Sequence, residues 1–517
     1  MQAIRHILRH AFARAEAGLD RIFGPAWNPL AGLGALGFMF YWVVAISGIY
    51  LFIFFDTSAV GAYRSVEALT HGQWYLGGVM RSLHRYASDG MVVAMTLHLL
   101  REFALDRYRG ARWFSWVTGT PILWLVFAAG ITGYWLVWDT LAQYVAVAST
   151  EWIDWLPIFG EPIARNFLTE EGLSDRFFTL LIFLHIAIPL ILLLVLWIHL
   201  QRMSKPAINP RRGLAVGTLV MLVALSFVEP VTSQGPVDLG TVPAVVRLDW
   251  FYLALYPLLD EWSAGAVWGL VGAGTLLLLV LPWLPPQKRG RAAEVDLALC
   301  NGCRRCADDC PFNAVGMRPR SDGRPFAEEA VVNTNLCTRC GICVGACPIS
   351  TPFRRAAQLA TAIDLPDDDL TSLRERAREA SGRLSGKARI LVFGCESSAA
   401  ATGGFEGPGV AAVRMPCTGM LPPSFIDYVL SRGLADGVAV AGCREGSCHK
   451  RFGRDWAEQR LDSKRDPYLR ARVPRARVAR IWASAIEGKR LEAEIAAFAE
   501  RIGALGDTTG ERLAGDD

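Results

Sequence analysis

Twelve cysteines and four histidines are the residues of this 517-residue chain whose types and spacing could do redox or metal chemistry. All the cysteines lie between Cys300 and Cys448, and eight of them fall into two strings, CNGCRRCADDCP and CTRCGICVGACP. Each string has the spacing C-x2-C-x2-C-x3-C-P, which suits thiolate ligation of iron–sulfur clusters. A zinc ribbon offers tetrahedra of four thiolates but neither the third C-x2-C step nor the closing Cys-Pro. Clustering of every thiol in one part of the chain also argues for metal centres over a disulfide framework.

The histidines come in matched pairs. His84 and His98, in MRSLHRYASDGMVVAMTLHLLRE, are 14 residues apart, and so are His185 and His199 in FLHIAIPLILLLVLWIHL. Fourteen residues of α-helix rise about 21 Å and fall about 40° short of four turns, so each pair shares one helix face at two levels. A single histidine in an apolar helix reads as a structural residue bonded across helices. Four ionisable side chains at matched depth are too costly in lipid for that reading. Paired as His84 with His185 and His98 with His199, they suit the axial ligation of two stacked haems. Gly34 and Gly48, and again Gly119 and Gly133, are also 14 apart. Singly each would be ordinary membrane-helix packing; together they give a flat macrocycle room against a helix backbone.

The elements that must position these ligands divide the chain. Hydrophobic residues make up 52% of it and crowd into the first 285 positions, in apolar runs near 31–55, 76–100, 115–138, 177–200, 213–229 and 264–285. These predict about six transmembrane helices. Basic loops at 101–112 (Arg101, Arg107, Arg109, Arg112), 202–212 (Arg202, Lys205, Arg211, Arg212) and 287–291 (Lys288, Arg289, Arg291) alternate with an acidic loop at 139–175. The positive-inside rule then puts the N-terminus and the cysteine-bearing tail in the cytoplasm; the expected location of the spans is a bacterial or archaeal inner membrane. Residues 1–28 lack an uninterrupted apolar run and read as an interfacial amphipathic helix, not a cleaved signal.

The strings WNPLAGLGALGFMFYWVVAISG, RSLHRYASDGMVVAMTLHLLRE, WVTGTPILWLVFAAGITGYWLVWD and RFFTLLIFLHIAIPLILLLVLWIHL resemble cytochrome b of the bc and b-f complexes. The resemblance implies a di-haem four-helix bundle over 29–212, with two further helices over 213–287. It also implies b-type haems on His84, His185, His98 and His199, with Arg81 and Arg101 beside the haem propionates. Two departures bear on quinone chemistry: the family's Pro-Trp is Val137-Trp138 here, and its Pro-Glu-Trp-Tyr is Leu248-Asp249-Trp250-Phe251. Asp89 is a further oddity, one turn beyond His84. An i, i+4 pair with Arg85 is its plain reading, and a proton route its bolder one.

Residues 288–356 resemble a two-cluster 4Fe-4S ferredoxin, an α+β fold. The likeness implies that Cys300, Cys303 and Cys306 share a cluster with Cys347, while Cys337, Cys340 and Cys343 share the other with Cys310. Residues 357–387 read as a polar linker. In 388–517, the strand-like ARILVFGCESS and ADGVAVAGCREGSCHKRFG flank the helical PSFIDYVLSRG, which argues for a small α/β domain. Its Cys395, Cys417, Cys443 and Cys448 suit one 2Fe-2S cluster, a zinc site or free buried thiols equally by spacing. MPCTGMLPPSFIDYVLSRGLADGVAVAGCREGSCH resembles the delta, iron–sulfur subunit of methyl-viologen-reducing hydrogenases, and that implies the 2Fe-2S cluster. Gly394 and Ser398 stand where that family usually has further cysteines.

No GxGxxG, P-loop, nickel-binding cysteine pair or acid–base constellation is present, so no catalytic residue is assigned and no nucleic-acid partner is expected. The expectation is a membrane electron-transfer subunit of a respiratory-type oxidoreductase, with two haem b, two 4Fe-4S and one 2Fe-2S. Its partners would be quinone and a cytoplasmic flavoprotein or a dehydrogenase- or heterodisulfide-reductase-like subunit, and it would be a homodimer through the cytochrome b part. The alternative expectation is a membrane anchor and relay for a soluble bifurcating assembly, with no quinone turnover of its own.

Overall fold

Each of the six apolar runs becomes a helix in the computed structural model of the chain, which describes residues 2–158, 163, 174–201, 203–243, 245–286, 290–353, 359–401, 403–446 and 448–505. Lys288, Arg289, Arg202, most of 159–173 and the last twelve positions of the expected C-terminal domain lie outside the described residues. The chain forms two units, one of residues 22–201 and 206–286, the other of 1–21, 202–205 and 287–517.

In the apolar unit, α2 (Leu33–Phe54), α4 (Val79–Ala104), α5 (Trp113–Val137) and α7 (Asp175–Leu200) pack as two tight pairs, α2 on α4 and α5 on α7. The short α3 (Gly61–Glu67) and α6 (Thr140–Asp154) connect them, and α8 (Arg212–Val228), α9 (Tyr256–Glu261) and α10 (Ala264–Val280) follow. Among the described residues, four helical stretches, Pro29–Phe54, Trp113–Val137, Asp175–Leu200 and Ala264–Trp283, are long and apolar enough to cross a membrane. Helix α4 has the length, at 26 residues, but carries Arg81, Arg85, Asp89, Arg101 and Glu102. Its polar side chains are placed between helices, the only location where lipid-embedded charge is tolerable.

The other unit holds α1 (Gln2–Phe23) and both cysteine-rich domains. In the first domain, β1 (Glu294–Val295) pairs antiparallel with β4 (Ile363–Asp364), and β2 (Val315–Pro319) with β3 (Glu328–Val332). Two one-turn helices, α11 (Arg305–Asp309) and α12 (Ile342–Ala346), lie between the ligand loops. The two motifs share a backbone device: the second and fourth residues after Cys300 and after Cys337 all have positive φ. These are Gly302 (68°) and Arg304 (63°), then Arg339 (55°) and Gly341 (72°). Such left-handed residues turn successive cysteines toward one centre.

Of the segment 357–387, the described residues 359–387 are folded, which corrects their reading as a linker. Strand β4 lies within it, and α13 (Leu370–Gly382) packs on the last domain's sheet through Leu370, Leu373, Ala377 and Ala380. That sheet is parallel, in the order β6 (Val410–Met415), β5 (Ile390–Cys395), β7 (Gly437–Gly442), β8 (Val478–Trp482). Helices α14 (Ser424–Ser431) and α16 (Gly488–Leu505) cover it, and α15 (Gly453–Leu461) follows β7. Strand order reverses between β5 and β7, the switch point at which open α/β sheets place their sites.

Candidate metal centres

Every histidine of the two columns faces one of the periodic glycines. A β-carbon on Gly48 would stand 3.0 Å from Cε1 of His84, and on Gly133 2.9 Å from Cε1 of His185. At the other level the corresponding gaps are 3.6 Å, Gly34 to His98 and Gly119 to His199. The spacing of the glycines predicts room for a macrocycle; what lies immediately against them is the imidazole edge. Close packing of that edge on a bare helix backbone fixes how far each ring reaches into the bundle.

Hydrogen bonds fix the rings' orientation. Nδ1 of His84 bonds the Val44 carbonyl at 3.0 Å and lies 3.2 Å from Ser47 Oγ. Thr132 Oγ1 stands 3.1 Å from His185 Nδ1, and Thr118 Oγ1 3.1 Å from His199 Nδ1. The hydroxyl protons are directed to helix carbonyls, as from Thr132 to Ala128 and Ala129, so each oxygen accepts from Nδ1–H. That leaves the Nε2 lone pair free, the tautomer a metal ligand needs. Ser47, Thr118 and Thr132 each precede a periodic glycine, a signal that the sequence carries but that acquires a role only with the rings in place.

The rings of His84 and His185 have centroids 6.2 Å apart. Two metal–nitrogen bonds of about 2 Å, plus about 1 Å from nitrogen to ring centre on each side, give a separation of about 6 Å for axial imidazoles on one metal. The pair therefore fits a haem iron between them. His98 and His199 stand at the other level of the columns, facing Gly34 and Gly119.

Arg81 is buried, and its guanidinium is held by Thr70 Oγ1 at 2.5 Å, Ser233 Oγ at 2.8 Å and Glu67 Oε1 at 3.4 Å. Arg101 is also buried and lies 3.9 Å from Glu102. Beyond His84, Arg85 reaches two carboxylates, Asp89 through Nε at 3.2 Å and Asp249 through Nη2 at 2.8 Å. Tyr134 donates to Asp249 at 2.5 Å and accepts from Arg85. The plain expectation for Asp89, pairing with Arg85, is what the structure contains, with Asp249 as an unforeseen second partner.

In the ferredoxin-like domain the eight cysteines line two small cavities. Cys300, Cys303, Cys306 and Cys347 border one; Cys310, Cys337, Cys340 and Cys343 border the other. This is the crossed division that the motifs imply. The thiols stand around the cavity walls, and among the described residues no three His, Cys, Asp or Glu side chains meet at a point as a single metal ion would require. Burial pushes Cys306 up to about 12 and Cys343 well above the ordinary thiol range. Such thiols ionise only against a bound cation, whose field reverses the cost of burial.

The last four cysteines lie close together, without meeting at one point as ligands of a single ion would, although 53 residues separate the first from the last. Cys395 ends β5, Cys417 follows β6 and Cys443 follows β7, so three lie at carboxyl ends of neighbouring parallel strands. Cys448 completes a ring, in which Cys395 and Cys448 each contact both Cys417 and Cys443; the Cys395–Cys443 sulfurs are 3.9 Å apart. Ser398 and Gly394 adjoin the ring without entering it: Ser398 donates to the Cys395 carbonyl at 2.8 Å, and Gly394 packs on Ala400.

Comparison with known proteins follows the same three divisions. Residues 20–206 match the family Cytochrome b/b6/petB, 299–351 the 4Fe-4S dicluster domain, and 390–506 the methyl-viologen-reducing hydrogenase, delta subunit. Cytochrome b6 of Heliomicrobium gestii is 29% identical over 181 residues, 34% of this chain and 84% of that protein. Cytochrome b of Rickettsia prowazekii is 23% identical over 294 residues, 50% of this chain and 72% of that one. Among solved structures, a chain described as hyperthermophilic respiratory Complex III aligns with a TM-score of 0.41 and 22% identity, over 49% of this chain and 75% of that chain. The protein thus joins, in one polypeptide, a multi-pass cytochrome b region, a 4Fe-4S dicluster domain and a hydrogenase delta-subunit region.

Proposed function

We propose that the chain is the membrane electron-transfer subunit of an oxidoreductase complex, linking a cytoplasmic redox partner to the quinone pool. The observation that carries this reading is the sequence of ligand sets in one polypeptide: a ring of four cysteines, two four-cysteine cavities and two levels of paired histidines. Haem b on His84/His185 and His98/His199, 4Fe-4S clusters in the two cavities and a 2Fe-2S cluster on Cys395, Cys417, Cys443 and Cys448 would supply one-electron redox chemistry. The protein's own residues hold His84, His185 and His199 in the ligating tautomer and bury nine of the twelve thiols. No acid–base or nucleophilic constellation accompanies them, so substrate chemistry belongs to a partner. The delta-subunit resemblance favours a hydrogenase- or heterodisulfide-reductase-like flavoprotein on the cytoplasmic side, with the iron–sulfur domains facing it. Homodimerisation through the cytochrome b part belongs to the same proposal.

One observation favours a second reading, in which the cytochrome b region anchors a soluble bifurcating assembly and turns over no quinone. Asp249, at the position of the family's quinone-site glutamate, is already tied to Arg85 and Tyr134. Purification in mild detergent, with identification of co-purifying subunits and reoxidation of the dithionite-reduced protein by quinone analogues, separates the two. Reoxidation by quinone that is lost in His84→Ala supports the first. Absence of reoxidation, with assembly activity intact in His84→Ala, supports the second. A content of about twelve irons per chain is expected for the full set of two haems, two 4Fe-4S and one 2Fe-2S.

A further inference from the structure

The four-cysteine ring and the second ferredoxin cavity are built against each other. Cys417 of the ring, Cys340 of the cavity and Ile342 form one small buried cluster, closed by Trp456. All three are buried, Ile342 completely, so the side-chain layer between the two ligand sets is closed to solvent.

Glycines bring the backbones together at this seam. A β-carbon on Gly345, in α12, would overlap the carbonyl oxygen of Gly419, two residues past Cys417. One on Gly419 would stand 2.9 Å from Gly453 Cα and 2.9 Å from Ile342 Cγ1, and one on Gly453 would overlap the Cys417 sulfur. Gly341 meets Met420 at 2.5 Å in the same way. Four glycines at one contact permit an approach that any larger residue would widen.

A buried ionic clamp crosses the same seam. Arg460, 1% exposed, pairs with Asp309 and donates through Nη1 to the Gly419 carbonyl at 2.9 Å. Asp309 immediately precedes Cys310, a wall of the second cavity, and also meets Arg465 at 3.3 Å. Trp456 Nε1 donates to the Asp309 carbonyl at 3.2 Å. An ion pair this buried is a weak source of net stability, and its best-attested use is to fix a register. Here it fixes the turn after Cys417 against the end of α11, just before Cys310.

We infer that the four-cysteine ring and the Cys310/Cys337/Cys340/Cys343 cavity form a single rigid redox junction, whose separation is set by Gly345, Gly419, Ile342 and Arg460 as positioning residues. None of Cys300, Cys303, Cys306 and Cys347 is among the residues of these seam contacts. The inference rests on the proposed reading of the ring as a metal site, and its consequence is an order: the ring's immediate electronic neighbour is the second ferredoxin site, not the first.

The test uses the full-length protein in detergent, reduced in steps and followed by electron paramagnetic resonance together with iron analysis. The expected result is magnetic relaxation enhancement of the ring's centre that disappears in Cys340→Ser and survives in Cys303→Ser. Gly345→Ala should weaken it severalfold at unchanged iron content, whereas Gly382→Ala, with nothing within 4 Å of the added carbon, should leave it unchanged. Enhancement that survives Cys340→Ser, or is lost in Cys303→Ser, overturns the inference. Hydrogen exchange probes the same contact without relying on any metal: Gly345→Ala should speed exchange at 417–420 and 453–461 as well as at 342–346. Acceleration confined to 342–346 overturns the junction. Coupled acceleration in a protein whose ring binds no iron sustains the junction and removes the metal-site reading alone.

Discussion

A β-carbon on Gly133 would stand 2.9 Å from Cε1 of His185, closer than packed carbons approach. The same relation holds at 3.0 Å between Gly48 and His84, while Gly34 and Gly119 leave 3.6 Å to His98 and His199, an ordinary contact. The two histidine levels should therefore differ in their tolerance of alanine. Gly133→Ala and Gly48→Ala must displace an imidazole, an overpacking cost of about 1–3 kcal/mol, and should lower b-haem content toward one per chain. Gly119→Ala and Gly34→Ala should retain both haems. Pyridine haemochrome quantitation checks the contrast; equal haem loss in all four variants would show that the glycines serve the macrocycle and not the rings.

Thr132 offers a finer adjustment at the same level. Its hydroxyl donates to the Ala128 and Ala129 carbonyls at 2.9 and 3.0 Å and accepts from His185 Nδ1–H at 3.1 Å. An acceptor on Nδ1–H raises the basicity of Nε2 and so favours the oxidised, more positive metal. Thr132→Val removes that acceptor while keeping the side-chain shape. The haem should remain bound, and its midpoint potential should rise by less than about 59 mV, the equivalent of a tenfold shift for one electron. A redox titration of the purified protein reads this directly, and a fall in potential would refute the assigned tautomer.

How far such residues are legible in the sequence depends on whether chemistry or packing chose them. Metal ligands are dictated by valence and spacing, so the histidine columns and both cysteine motifs can be read as strings. The ring of Cys395, Cys417, Cys443 and Cys448 cannot, because its members meet only once β5, β6 and β7 lie side by side. Residues 370–382 read as linker for their charge, although Leu370, Leu373, Ala377 and Ala380 carry helical spacing. VAAVRM and VARIW, the strands β6 and β8, are short and each carries an arginine. The hydroxyl before the glycine at 47, 118 and 132 is visible but has no meaning until a ring stands opposite. The seam glycines at 345, 419 and 453 are ordinary in sequence. What makes Gly345 and Gly419 necessary to each other is a backbone more than 70 positions away.

Asp89 and Asp249 share Arg85 unequally. Asp249 accepts from Arg85 at 2.8 Å and from Tyr134 at 2.5 Å, whereas Asp89 meets Arg85 at 3.2 Å and its buried Oδ1 has no partner among the described residues. An unpaired buried carboxylate oxygen costs free energy that an uncharged amide reduces. Asp89→Asn should therefore leave thermal stability within about 0.5 kcal/mol of the parent or raise it. Asp249→Asn should lower it by about 1–3 kcal/mol through the loss of two charge-assisted bonds. Loss of haem absorbance on heating reports both. If quinone activity and its pH profile are unchanged in Asp89→Asn, the proton-route reading of this residue is excluded.

The last prediction concerns α1, whose two sides have different partners. Ile4, Ile7 and Ile22 are more than half exposed and recur on one face of the helix. On another side, Glu16 and Asp20 meet Arg444, the residue after Cys443, with Glu16 Oε2 at 3.9 Å. Arg444 is only 8% exposed, so this contact is screened little by salt and holds the helix to the domain that carries the cysteine ring. Arg444→Ala removes this cation from the buried Glu16 and the half-buried Asp20 and should release α1. Tryptic cleavage after the exposed Arg14 should then accelerate severalfold in detergent solution, while the iron content of the ring stays constant. The double variant Glu16→Gln, Asp20→Asn should reproduce the acceleration, because it removes the same pairs from the other side. Cleavage at the parental rate in both would mean that packing of Phe12, buried on the same helix, holds α1 in place without the charges.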